Sequence, residues 1–314
     1  MESETSRASR PTSRISSISV SMRYGCHRCT PRQWPTSGYD VSDHCDIDPV
    51  FGDLGVFDHL VAALHDKGIR IIMDYVPNHT SDRHPWFIDA RTSRDAPTRD
   101  RYVWRDPAPD GGPPNNWVRA FSPEPAWTFD DLSGQYYLHL FLPEQPDLDW
   151  NSIDVRDDMA EVLRFWMRRD VDGFRADVVH CIGKSPDLPD APEELAGLPA
   201  CIFDHGEGTR ECLRGLRKVV DGDRPGEHLL LGETYVFDRD QQLSYLGTGD
   251  ELHLAFNFLA VHTPWEAEAW QKELEQSYAA HERVGAWPTW VLSNHDLPRH
   301  VTPTAPWHVH ALLQ

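Results

Sequence analysis

Three carboxylates stand at comparable places in this chain. Asp177 closes the stretch Gly173-Phe-Arg175-Ala-Asp177, Glu233 closes Leu229-Leu-Leu-Gly232-Glu233, and Asp296 closes Asn294-His295-Asp296. A fourth polar set, Asp74-Tyr-Val76-Pro-Asn78-His79, caps another apolar run. Three carboxyl groups gathered around one sugar ring can break a glycosidic bond. One attacks the anomeric carbon. One protonates the leaving oxygen and later activates water. The third steadies the substrate and the positive charge that develops. In the retaining form of this chemistry the attacking and protonating groups stand about 5–5.5 Å apart. A neighbouring carboxylate raises the pKa of the proton donor, so that it can hold its proton near neutral pH. Arg175 precedes Asp177 by two residues, on the same side of a strand, and its cation is expected to keep Asp177 ionised. Singly, each motif has a plain reading: a solvated Asp, a structural His, a turn for Asn-His-Asp. The four together, in order and each after a strand-like run, are hard to obtain by accident.

The elements that must position these groups are visible in the apolar pattern. Phe57, Leu60, Val61 and Leu64 fall on one helix face, ended by Gly68, and Arg70–Val76 then reads as a buried strand. Val155, Met159, Val162, Leu163 and Trp166 line a second helix, followed by a strand through Val171–Arg175. Cys212, Leu213, Leu216, Val219 and Val220 line a third, followed by Leu229–Leu231. A strand near Leu252–Phe258, a helix across Trp265–Tyr278 and a strand at Thr289–Ser293 complete the series. Helices alternating with short parallel strands imply an α/β fold. In a parallel barrel, ligand-binding groups gather at the C-terminal ends of the strands, so Asp177, Glu233 and Asp296 are expected to converge. Between Thr80 and Trp150 the rhythm breaks. Asp106–Pro114 is rich in Pro and Gly, and Gln135–Phe141 reads as a short strand. This is an insertion of roughly seventy residues within one strand-to-helix connection, far above the usual connection length.

Composition narrows the partners. A formal charge of −20 argues against nucleic acid and against anionic lipid, and a neutral substrate is the simplest to reconcile with it. No run approaches the apolar length of a membrane span, and the Ser/Arg-rich N-terminus lacks the apolar run of a secretory signal. The cysteines are scattered, which fits reduced thiols in a cytoplasmic protein. Cys26-x-x-Cys29 has no second pair at finger spacing, so zinc is not expected there.

On these motifs the chain resembles glycoside hydrolase family 13, the α-amylase superfamily. Asp74–His79, Gly173–Asp177, Glu233 and Asn294–Asp296 match its four hallmark regions. Gln145–Trp150 looks like the fifth, in a form close to bacterial α-glucosidases and oligo-1,6-glucosidases. The resemblance spans about Gly38 to His300. It implies a (β/α)8 TIM barrel with domain B inserted after the third strand. It gives Asp177 the nucleophile role, Glu233 the acid/base role and Asp296 that of transition-state stabiliser. By the same resemblance Asp74, Asn78, His79, Arg175 and His295 bind substrate, Tyr39 stacks on the glucose, and Phe141 forms a wall, the last with core packing as an equal alternative. Val178, directly after the nucleophile, leans towards α-1,6 linkages, with plain barrel packing as the alternative reading.

The implied activity is retaining hydrolysis of α-glucosidic bonds in small oligosaccharides through a covalent glucosyl-enzyme intermediate. No cofactor is required. A structural calcium ion occurs in the family, but its usual loop does not appear in this text. Alternatives are a transglycosidase of the trehalose synthase or sucrose isomerase kind, an inactive truncated product of an α-glucosidase gene, and a non-enzymatic relative such as a transporter heavy chain. The last is disfavoured by the intact triad.

The chain also departs from the family. Residues 1–37 form an atypical segment. They read either as a frameshift product, in which GC-rich codons read one base out of step turn Ser19–Arg28 into family-like text, or as a disordered basic tail. The native gene sequence separates the two. The expected divisions are a barrel part at 38–79 (second helix, third strand), domain B at 80–150, a barrel part at 151–300 (fourth to seventh strands), and a truncated tail at 301–314. First, second and eighth strands are expected to be missing or altered, and such an open barrel is expected to have weak activity or none.

Overall fold

The structure, a computed structural model, describes residues 38–204, 206, 208–222 and 227–296, together with the backbone at 14–17 and 22–24. Its strands are β1 (Arg14–Ser17), β2 (Met22–Tyr24), β3 (Val41–Ile47), β4 (Ile69–Tyr75), β5 (Trp104–Arg105), β6 (Trp127–Asp130), β7 (Gln135–Leu138), β8 (Gly173–Ala176), β9 (Leu229–Gly232), β10 (Leu254–Asn257) and β11 (Thr289–Trp290). Six of them form one sheet in the order β1-β4-β8-β9-β10-β11, every pair parallel. Helices run between the consecutive strands. This is the α/β architecture expected, realised among the described residues as a curled, incomplete barrel. The place beside β4 is taken by the four residues of β1, in register from Arg14 with Ile69 to Ser17 with Ile72. The frameshift reading, the Cys26-Cys29 pair and the loop that would carry calcium otherwise fall outside the described residues, as does the tail from 297.

The helices form where periodicity places them and bury one stripe each. Leu54–His65 starts at Asp53, whose Oδ1 accepts the Val56 N–H at 2.9 Å. It buries Phe57 and Val61, and Phe57 meets Trp166 edge-on at 5.1 Å. Leu60 is exposed, contrary to the expected stripe, while Leu64 is partly buried against the core. Ile153–Met167 buries Val155, Met159, Val162, Leu163 and Trp166. Gly208–Asp221 buries Cys212, Leu213, Leu216 and Val220, leaving Val219 half-buried. The helix expected at Trp265–Tyr278 runs Ala267–Arg283, and the last strand is confined to Thr289–Trp290.

Two glycines let the strands approach. A Cβ on Gly173 would stand 2.6 Å from the Leu229 carbonyl oxygen, and one on Gly232 would stand 2.3 Å from Leu252 Cδ1. Any side chain at either place would push β8, β9 and the loop before β10 apart, and with them the groups that follow Ala176 and Gly232.

Between β4 and β8 lies a separate antiparallel sheet, β5-β7-β6. It has an apolar core of its own, including Trp117, Trp127, Leu138, Leu140 and Phe141. Cys181, Leu188, Ala200 and Cys201, from the loop after β8, complete that core. The loop thus ties the small sheet to the strand that carries Asp177. Among the described residues no helix is long and apolar enough to cross a membrane, and Cys45, Cys181, Cys201 and Cys212 are free thiols.

Candidate active site

Parallel strands end together, so the polar residues that follow them meet. Asp177 is held by its N–H on the Tyr75 carbonyl at 2.8 Å, and Glu233 by its N–H on the Ala176 carbonyl at 2.8 Å. Each ladder bond places one strand end against the next. Both carboxylates are buried, at 6% and 5% exposure. Arg175 lies between them. Its Nη1 donates to Asp177 Oδ1, and its Nη2 donates to Glu233 Oε2 at 2.6 Å. Nη1 also reaches the Tyr39 hydroxyl at 3.2 Å and stands 3.5 Å from Asp74 Oδ1. The Tyr39 hydroxyl donates to Asp74 Oδ2 at 3.4 Å. Four of the expected residues therefore close around one guanidinium.

Burial pushes the Asp177 carboxyl well above the usual carboxylate range, while the Arg175 cation acts in the expected direction and favours the ionised form. Glu233 and Asp74 add to the rise. Removal from water here outweighs one cation that three carboxylates share. The Arg175 guanidinium itself is buried, a burial that works against its charge. Glu233 and Asp177, next in weight, hold it well above its ordinary value and so keep it charged.

His79 sits behind this group and is fully buried. Asn78 Nδ2 approaches its Nδ1 at 3.1 Å, while the Tyr39 carbonyl and the Gln145 amide lie 3.2 Å and 3.1 Å from its Nε2. Burial, with help from the Lys184 charge, pushes the imidazole down to about 3. His79 is thus a neutral ring at ordinary pH. Asn78 does not face the carboxylates. Its Oδ1 accepts from Lys184 Nζ at 2.7 Å, and Lys184 also pairs with Asp147 at 2.8 Å. An antiparallel bridge between His79 and Asp147 joins the two segments.

Phe141 is buried, with its ring 5.4 Å from His79 and 6.3 Å from Phe121. It belongs to the core of the small sheet, and its ring also meets that of His79. His295 and Asp296 lie in the segment that follows β11. The His295 ring stacks on Tyr39 at 5.2 Å and 7°, and its Nε2 lies 3.3 Å from Asp296. Partial burial raises the Asp296 carboxyl; His295 beside it opposes that rise, and the charge of Glu233 adds to it. Asp296 therefore stands within electrostatic reach of Glu233, on the more open side of the cluster.

Three features escaped the sequence reading. Lys184 carried no pattern that marks a buried cation, although its partner Asp147 lies inside the Gln145–Trp150 motif. Phe121 is 76% exposed on a left-handed backbone (φ 65) beside Phe141, in a stretch that reads only as loop. The backbone at Val178 is the third.

Carboxylates that follow parallel strands are thus joined here by one arginine and flanked by an inserted small sheet. The chain belongs to the alpha-amylase family, whose catalytic-domain model matches residues 30–308. It is 36% identical over 288 residues to an oligo-1,6-glucosidase from Parageobacillus thermoglucosidasius, covering 85% of this chain and 49% of that protein. A probable alpha-glucosidase from Rhizobium meliloti is 39% identical over 286 residues, covering 84% and 50%. The crystal structure of trehalose-6-phosphate hydrolase from Bacillus licheniformis superposes with a TM-score of 0.80 at 31% identity, over 91% of this chain and 51% of that one. The chain spans about half the length of the curated relatives it matches.

Proposed function

We propose that this chain carries the reaction centre of a retaining hydrolase for α-glucosidic bonds in small, neutral oligosaccharides. The single observation that carries the reading is Arg175, which holds Asp177 and Glu233 on one guanidinium while both are excluded from water. Two carboxyl groups held next to one another in this way support reading one as nucleophile and the other as proton donor of a double displacement. Asp177 attacks the anomeric carbon as its carboxylate, the form that the Arg175 cation favours against burial, and forms a glucosyl ester. Glu233 gives its proton to the leaving oxygen, then takes one from the incoming water. Asp296 faces the positive charge that develops at the ring. Tyr39, stacked on His295, lines the place for the sugar, and His79, kept neutral, braces Tyr39 through its carbonyl without adding charge. The chemistry is complete with carboxyl groups and needs no cofactor. We assign residues 80–150 to the inserted domain that closes one side of the site, with Phe141 as its wall, and place the protein in the cytoplasm.

The test is hydrolysis of p-nitrophenyl α-glucoside by the purified chain, with Asp177→Asn as control. Release of nitrophenol that the control loses supports the assignment. Equal rates in both would end it. Product analysis on isomaltose, maltose and sucrose separates hydrolysis, which frees glucose, from transglycosylation, which returns a rearranged disaccharide.

A further inference from the structure

Val178 follows Asp177 directly, and its backbone lies in the left-handed region at φ 35 and ψ 40. A β-branched residue rarely adopts that conformation. The other described non-glycine residues with positive φ are Phe121, Asp170 and Leu188, none of them β-branched. The turn has a definite product. The Val178 N–H donates to Glu233 Oε2 at 3.2 Å. The next two residues hold the main chain of the same glutamate: the Val179 N–H reaches its carbonyl at 3.1 Å, and His180 Nδ1 reaches that carbonyl at 3.3 Å. Glu233 is thus gripped at carboxylate and carbonyl by three consecutive residues of the segment that carries Asp177. Arg175 Nη2 donates to the same Oε2.

We propose that the left-handed backbone at Val178 is a positioning device for the proton donor: it turns the 178 amide onto Glu233 Oε2 and so assigns the transferable proton to Oε1. The proposal rests on the reading of Glu233 as acid/base. Two N–H donors already point at Oε2, and a proton there would have to displace one of them. On Oε1 the proton leaves both bonds intact. The amide also links the pair mechanically, because the peptide unit that follows the nucleophile is the one that holds the acid. An N–H that donates to a carboxylate stabilises the charged form. Removing it raises the carboxyl pKa, which keeps the acid protonated to higher pH. The other titratable groups facing Glu233 are Arg175, Asp177, Tyr39, Tyr235 and Asp296, with His180 on its carbonyl. None of these changes when only the 178 amide is altered.

The experiment replaces the amide at 178 by an ester, using the α-hydroxy analogue of valine in the full chain. Glu233 is followed by carbon-13 titration of its carboxyl, assigned with Glu233→Gln. The expected result is an upward shift of the Glu233 midpoint by about half to one pH unit. The basic limb of kcat/KM on p-nitrophenyl α-glucoside should move up with it. An unchanged midpoint overturns the proposal. The titration decides even if the chain hydrolyses nothing, so failure of the functional reading and failure of this inference are separate results. Val178→Gly and Val178→Ala supply a check that does not depend on the ester folding. At a left-handed position Gly should melt above Ala, the reverse of the order at an ordinary extended or helical position. Ala melting above Gly removes the strained turn, and the proposal with it.

Discussion

Lys184 and Asp147 form an ion pair at 2.8 Å with side chains only 4% and 0% exposed. Asp147 Oδ1 also accepts the Leu140 N–H at 3.1 Å, and Lys184 donates to Asn78. The pair joins the loop after β8 to the small sheet and to the segment that holds His79. A buried pair is costly to break from one side, because the remaining charge is left without water or partner. Lys184→Met should therefore destabilise the chain by about 3–5 kcal/mol, read as a lower urea midpoint. Lys184→Met combined with Asp147→Leu should recover part of that loss. A double variant no more stable than the single one would show that the pair is not the cause.

His44 predicts an acid-side loss of stability. Its Nε2 lies 3.4 Å from the Val76 carbonyl, its Nδ1 is buried without a hydrogen-bond partner, and the His84 ring is 5.6 Å away. Burial pushes His44 down to about 4 and His84 down to about 3, and His79 is likewise at about 3. The unfolded chain takes up these protons near pH 6.5, the folded chain only well below. Stability from each group is therefore full above about pH 6.5 and is lost as pH falls towards the folded value. For His44 alone the loss is about 3 kcal/mol by pH 4. The raised carboxyl of Asp177 works in the opposite direction, so the comparison must isolate His44. His44→Gln, which keeps a donor for the Val76 carbonyl, should flatten the fall of melting temperature between pH 6.5 and 4. An identical slope in both proteins would refute the assignment.

How much of this could be read beforehand depends on what kind of information each feature needs. Asp177, Glu233 and Asp74 end apolar runs of strand length, and parallel pairing then brings strand ends together without further help. The faces of Ile153–Met167 and Gly208–Asp221 were legible because five apolar positions at helical spacing leave little choice. Leu60 was misplaced because its exposure depends on what packs against the helix, which no local pattern records. Lys184 was invisible for the same reason: a single lysine in a loop is ordinarily solvated, and only the tertiary position of Asp147 and Asn78 makes it a buried cation. The strand at Arg14–Ser17 has no apolar run to announce it. Its place follows from the open edge of β4. The rise of the Asp177 carboxyl was missed because the sequence shows charges but not their removal from water.

Phe121 should affect substrate binding more than stability. It is exposed, and Phe141 is the aromatic ring it meets. It lies at the surface on a left-handed backbone, and on the proposed reading of Phe141 as a wall it stands beside the substrate path. Phe121→Ala should leave the unfolding free energy from urea titration within about 0.5 kcal/mol of the parent. Loss of one aromatic face of about 0.5–1.5 kcal/mol should raise KM for isomaltose roughly 2- to 10-fold, with kcat little changed. Phe141→Ala removes a buried ring and should lower stability as well, by about 3–5 kcal/mol. If KM for Phe121→Ala equals that of the parent, the ring lies away from the substrate path.

The division of labour between the two buried carboxyls makes the last prediction. A nucleophile is needed whatever the leaving group, whereas a proton donor matters most when the leaving oxygen is a poor leaving group. Asp177→Asn should therefore abolish turnover of both p-nitrophenyl α-glucoside and isomaltose. Glu233→Gln keeps the shape, and its amide can still meet the Val178 segment and Arg175. It should cost about 10²–10⁴-fold on isomaltose, where the departing sugar alkoxide needs the proton. On p-nitrophenyl α-glucoside, whose phenolate leaves unaided, formation of the glucosyl ester should be slowed far less. Breakdown of that ester needs base help to activate water, so the Gln variant should give a burst of nitrophenol followed by slow turnover. Pre-steady-state absorbance measures the burst directly. Equal losses on the two substrates with no burst would mean that Glu233 does not transfer the proton, and Asp296, the remaining carboxyl on the open side of the cluster, would then be the group to test.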